Sequence, residues 1–288
     1  MLHAGMNALS LFYIFLAVCM MPLNWLLETR KWYLLLKRDT DISFIKSLKS
    51  VLGGLALSLN TPNRLGEYFG RILYIQKGKR ITGAHYSIIS GLSQLLITLI
   101  AGLSAIELLL VLYPINTVNQ NLLGFIFLPV SQIFLLIIIL LVIVLYLNYF
   151  NIIRWLYKRT LSKRFFIETQ ISDIEKNLRF RILIISFIRF MIFTTQYILI
   201  WKALGLTFDY IQGAAIVSII YLVMAIIPTI AIAELGIRGK VALLVAGMYT
   251  NQLMSITTGT VFIWLLNIVL PAIIGTLFLW NLKWKEKK

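Results

Sequence analysis

Residues 123–147 read LGFIFLPVSQIFLLIIILLVIVLYL, 25 positions without a single charge. A helix crosses the hydrocarbon core of a bilayer with about 20 predominantly apolar residues. This stretch is long enough, and uniform enough, to be a membrane span. Four other stretches reach comparable length: 6–27, 86–112, 182–201 and 255–280. The whole chain of 288 residues is 60% hydrophobic and 13% charged, with a mean hydropathy of +0.88. A soluble domain carries roughly a quarter of its residues as charges. The expected fold class is therefore all-α: a single transmembrane domain over 1–288, polytopic, with about five full spans.

The charge balance is basic, 27 Lys+Arg against 11 Asp+Glu. The positive charges collect between apolar runs, which points to membrane topology rather than to a nucleic-acid partner. Arg30, Lys31, Lys37, Arg38, Lys46 and Lys49 follow the first span. A basic segment at 151–181 holds Arg154, Lys158, Arg159, Lys163, Arg164, Lys176, Arg179 and Arg181, and the tail holds Lys283, Lys285, Lys287 and Lys288. The stretch Tyr113–Asn121 has no charge. Cytoplasmic loops carry the Lys/Arg excess, so the C-terminus is expected inside and the N-terminus outside. The first span lacks a basic leader region and reads as a retained anchor. Cys19, the single cysteine, is expected to be a buried structural thiol. His85 and Glu107 read as interfacial. Trp25, Trp32, Trp201, Trp280 and Trp284 sit near span ends, as an aromatic belt would.

Two segments do not fit as spans. Phe44–Leu59 is only about 16 apolar residues long, short of a crossing. It runs into the helix-breaking sequence Asn60-Thr61-Pro62-Asn63. A second helix, Arg64–Ile75, follows. In the other segment, helix Tyr210–Ile227 ends at Pro228 and a second helix runs from about Glu234 to Tyr249. Each reads as a re-entrant helical hairpin, with tips at Asn60, Pro62, Asn63 and Gly66 in one and Pro228 and Gly236 in the other. The order is span, hairpin, span over 6–112, a connector span, then span, hairpin, span over 182–280. The flanking charges give the second set the opposite orientation, an inverted-topology repeat of the kind found in secondary transporters. Broken backbone at membrane depth is tolerated only inside protein or facing water, so the tips are expected to face an interior cavity.

The hairpins also match in charge. Each places an Arg four residues after a Glu: Glu67–Arg71 and Glu234–Arg238. Residues i and i+4 share a helix face, so each pair can form an ion bridge. Charges at membrane depth are costly. One reading gives Arg64, Glu67, Arg71, Glu234 and Arg238 to a cationic site for the phosphate of a lipid head group, since a guanidinium donates bidentately to phosphate. The other reading makes both pairs buried staples. Arg189, with Gln196 seven residues on along the same face, joins the site or snorkels to the interface. Pro271 is expected to kink the last helix. No metal-ligand cluster, catalytic triad or nucleotide loop stands out. No cofactor, metal or catalytic residue is expected, and the chain reads as a non-enzyme.

The segments Glu28-Thr29-Arg30-Lys31-Trp32, Pro62-Asn63-Arg64-Leu65-Gly66-Glu67 and Pro228…Leu235-Gly236-Ile237-Arg238 resemble the lysylphosphatidylglycerol synthase transmembrane region, a flippase-like family. The resemblance covers most of the chain. It implies a bacterial inner-membrane protein that binds or translocates an anionic lipid or lipid-linked sugar. The soluble aminoacyl-transfer domain of bifunctional members is not found up to Lys288, so lysylphosphatidylglycerol synthesis is not expected. The alternative is a membrane scaffold for a separate glycosyltransferase or lipid-modifying enzyme.

Overall fold

The computed structural model describes residues 7–59, 61, 64–113, 128–160 and 173–286. Among the described residues the regular structure is helical throughout. Among the described residues, five helical stretches are long and apolar enough to cross a membrane: α1 (Ala8–Leu36), α4 (Arg80–Leu112), α5 (Pro129–Thr160), α6 (Lys176–Ala203) and the pair α9–α10 (Leu253–Trp264 and Leu270–Glu286). Between them lie α2 (Phe44–Ser58) and α3 (Leu65–Ile72), then α7 (Tyr210–Ile226) and α8 (Ala231–Ala246). The chain is thus an all-α polytopic membrane protein. Asn60, Pro62 and Asn63, assigned to the first tip, lie outside the described residues.

Several boundaries differ from the sequence reading. α1 continues through Arg30 and Lys31 to Leu36, so those residues are helical and not loop. Arg30 is exposed while Lys31 is fully buried. α5 extends past 147 to Thr160. α3 is shorter than expected, 65–72, and α8 starts at Ala231 rather than near Glu234. α7 ends because Ile227 is extended (φ −85°, ψ 114°), the conformation that a following proline imposes. Ahead of Pro271 the helix widens into a π-turn at Leu265–Val269. A proline has no N–H for the carbonyl four residues back, and the π-turn relieves that mismatch.

The chain forms two compact units. One comprises 25–97, 137–188 and 271–288, and holds α2 and α3. There the two short helices pack backbone to backbone: a Cβ at Gly70 would lie 2.5 Å from Gly54 Cα, and one at Gly66 would lie 2.2 Å from the Leu57 carbonyl oxygen. α10 approaches as closely, with a Cβ at Gly275 only 1.9 Å from the Leu52 carbonyl oxygen. Small residues permit this approach between membrane helices. Thr61 Oγ1 accepts from the Gly66 N–H at 2.7 Å, capping α3. The core contains Trp32, Leu36, Val51, Tyr86, Tyr146 and Phe150. Arg38, Arg154 and Arg179 all converge on Asp173.

The other unit comprises 1–24, 98–136 and 189–270, and holds α7 and α8. α7 is buried along Ala215–Ile220. A Cβ at Gly102 of α4 would lie 2.5 Å from Leu222 Cβ. Gln196 ties α6 to α1, accepting from Asn24 at 3.2 Å and donating to the Ala17 carbonyl at 2.9 Å. Asp209 caps α7 through the Gln212 N–H. That bond, with the Tyr113 hydroxyl, holds the Asp209 carboxyl below its ordinary range.

Further expectations need correction. Cys19 is exposed, on the outward side of α1, not buried. His85 is buried and hydrogen-bonded to Tyr149 Oη at 2.7 Å, so it is a core residue and not an interfacial one. Trp32 and Trp201 are fully buried and form no lipid-facing belt, whereas Trp280 is 69% exposed.

Candidate functional site

In the first unit, α1 presents a polar stripe. Glu28 and Lys31 lie one helical turn apart, and both are buried. Arg71 of α3 is 4% exposed and meets them there. Glu28 Oε1 accepts from Arg71 Nη2 at 2.8 Å and Glu28 Oε2 pairs with Lys31 Nζ at 3.1 Å. Arg71 also pairs with Glu67. Lys31 Nζ donates to Ser186 Oγ at 3.2 Å and to the Ser90 carbonyl at 3.4 Å. Ser90 Oγ donates to Glu28 at 3.3 Å. Trp32 Nε1 donates to Ser50 Oγ at 3.0 Å, and Ser50 Oγ donates to the Arg71 carbonyl at 2.9 Å. The Arg71 guanidinium sits 5.7 Å from the centre of the Trp32 ring, within range of a cation–π contact. Two carboxylates and two cations thus meet in one network.

In the other unit, Glu234 and Arg238 of α8 are ion-paired, and both are buried. The Arg238 guanidinium lies 5.5 Å from the Tyr221 ring centre. Phe190, Phe193 and Tyr197 of α6 pack edgewise or tilted around that ring at 6.1–6.2 Å. Tyr197 Oη donates to Thr260 Oγ1 at 2.7 Å. Each hairpin therefore repeats one arrangement: a Glu, an Arg one turn later, and an aromatic face under the guanidinium. In both arginines the buried Nε–H has no hydrogen-bond partner among the described residues. A buried donor left unpaired costs about 1–3 kcal/mol, and an acceptor oxygen placed there would recover that energy.

The remaining expected residues are placed as follows. Arg189 lies over Phe193 at 5.3 Å. Gly66 is a packing residue, whereas a Cβ at Gly236 would meet nothing within 4 Å. Pro228 is exposed. Arg64 is the residue before α3 and has φ 55°, the one positive-φ non-glycine among the described residues. That conformation costs an L-residue about 1–2 kcal/mol. Arg64→Gly is expected to be more stable than Arg64→Ala by about 1 kcal/mol, because only glycine relaxes there. Chemical denaturation of the two variants in one detergent checks it; equal stability would show that the local backbone is unstrained.

Glu28 and Lys31 were not read as site residues. Their signal was present: Asn24, Glu28 and Lys31 follow a helical spacing of four and three at the end of an apolar run. Among the described residues, no group of three or more His, Cys, Asp or Glu side chains could hold a metal ion.

The long apolar helices, interrupted by hairpins with buried ion pairs, define a polytopic helical membrane protein with charge placed among its helices. The family model for the lysylphosphatidylglycerol synthase TM region matches residues 2–275, and the chain belongs to that family. No curated protein and no solved structure matches the chain.

Proposed function

We propose that this protein binds the head group of an anionic lipid or lipid-linked sugar and carries it across a bacterial inner membrane. The first hairpin enters from the cytoplasmic face and the second from the outside. The N-terminus lies outside and the C-terminus inside. No catalytic step is assigned. The observation that carries this reading is the partnerless Nε–H on each of two buried arginines, Arg71 and Arg238. A guanidinium fork fits phosphate oxygens, and ion-pair partners already in place hold each fork in position. Membership of the family supports the lipid assignment.

The test uses proteoliposomes containing a fluorescent anionic phospholipid and follows loss of inner-leaflet signal. Arg71→Lys and Arg238→Lys keep the charge and remove the fork. Each is expected to slow translocation about tenfold, the equivalent of one charge-assisted hydrogen bond. Rates equal to those of protein-free vesicles in wild type would reject transport. The scaffold reading has one observation in its favour. α5 exposes Val130, Ile133, Phe134, Ile137, Leu141 and Val144, a face that lipid or another membrane protein could cover. Absent translocation together with a co-purifying enzyme would favour it.

A further inference from the structure

We propose that the last span carries a subsite for head-group hydroxyls, held by the side-chain amide of Asn267, and that the cargo is a lipid whose phosphate bears a polyol. The inference rests on the head-group binding proposed above and names the class of that head group. Asn267 lies midway along the apolar stretch Leu253–Trp280. It is the central residue of the π-turn at Leu265–Val269. Both polar atoms of its amide, Oδ1 and Nδ2, are buried and have no hydrogen-bond partner among the described residues. Its backbone carbonyl also lacks the usual helical donor, because residue 271 is proline. Burying an amide with neither end hydrogen-bonded is strongly unfavourable. Single π-turns inside helices recur at functional sites, and a ligand that paired both ends of the amide would remove the penalty.

The chemistry of the unpaired atoms selects that ligand. Oδ1 accepts and Nδ2 donates. A phosphate oxygen only accepts and an ammonium only donates, so either would leave half of the amide unpaired. A hydroxyl does both, and two neighbouring hydroxyls engage both ends at once. Three residues earlier, the Trp264 Nε1–H is likewise buried without a partner among the described residues, a further donor on the same span. Asn267 and Arg238 belong to the same compact unit. From Arg238 the contacts run through the Tyr221 ring to Tyr197. The Tyr197 hydroxyl donates to Thr260 Oγ1, seven residues before Asn267 on the last span. Arg238 takes the phosphate and Asn267 takes the hydroxyls.

The test compares two acyl-labelled lipids in proteoliposomes of the full chain: phosphatidylglycerol and phosphatidylpropanol. They share charge and outline, and the second lacks both head-group hydroxyls. Wild type is expected to move phosphatidylglycerol about tenfold faster, the equivalent of one hydrogen bond. Asn267→Leu is expected to move both lipids at the slower rate. It is also expected to unfold at a higher temperature than wild type in one detergent, because an apolar group of similar size replaces an unpaired amide. Equal wild-type rates for the two lipids would overturn the hydroxyl subsite and leave translocation of anionic lipid standing. Movement of neither lipid would overturn both readings. A preference that persists in Asn267→Leu would overturn the assignment to Asn267. A destabilised Asn267→Leu would show that the amide holds a structural water, and would overturn it too. The wild-type comparison decides the hydroxyl preference even if Asn267→Leu does not fold.

Discussion

Glu28→Gln is expected to destabilise the protein by about 3–5 kcal/mol, the usual effect of removing one partner from a buried ion pair. The substitution keeps the shape of the side chain and removes its charge. Arg71 would keep Glu67 but lose its second carboxylate, and Lys31 would lose the Glu28 carboxylate, with both cations still nearly out of reach of solvent. Adding Lys31→Met to Glu28→Gln removes the excess charge. The remaining Arg71–Glu67 pair is neutral, and the double variant is expected to recover most of the loss. Thermal unfolding of the three variants and wild type in one detergent measures this. A double variant no more stable than Glu28→Gln alone would show that Glu28 acts through its hydrogen bonds to α4 rather than through charge balance.

The architecture was legible in the sequence because lipid imposes a strict rule. Every backbone group at membrane depth must be satisfied within the chain, so uncharged runs of span length become helices. The five spans and two short hairpins followed from run length, from the break at Asn60–Asn63 and from Pro228. The Glu–Arg pairs were legible too, because i and i+4 share a face. The partners supplied by other helices were not. Lys31 was read with the neighbouring Arg30 as loop charge. Only tertiary contacts separate them: Ser186, Ser90 and Glu28 surround one, while the other is exposed. Trp32 and Trp201 misled in the same way. Both lie near span ends in sequence, yet one lies under Arg71 and the other stacks edgewise on Tyr197 at 4.7 Å.

The two glycines beside the motif glutamates, alike in sequence, are expected to respond oppositely to the same substitution. Gly66→Ala places a methyl group 2.2 Å from the Leu57 carbonyl oxygen and 2.7 Å from Thr61 Oγ1. Leu57 lies in the last turn of α2 and Thr61 in the turn that follows it, and the carbonyl is backbone, so it cannot step aside without shifting α2 against α3. Overpacking of this kind costs about 1–3 kcal/mol, or more where backbone must move. Gly236→Ala lies inside α8 with open space around the new methyl group. Alanine in a helix interior is favoured over glycine by up to about 1 kcal/mol, so this variant is expected to be at least as stable as wild type. Unfolding midpoints of the two variants in one detergent make the comparison, and equal losses would show that Gly236 is also a packing residue. If Gly236→Ala is stable but translocates more slowly, the open space around Gly236 is used by the cargo, because the methyl group then obstructs a passing head group and no part of the protein.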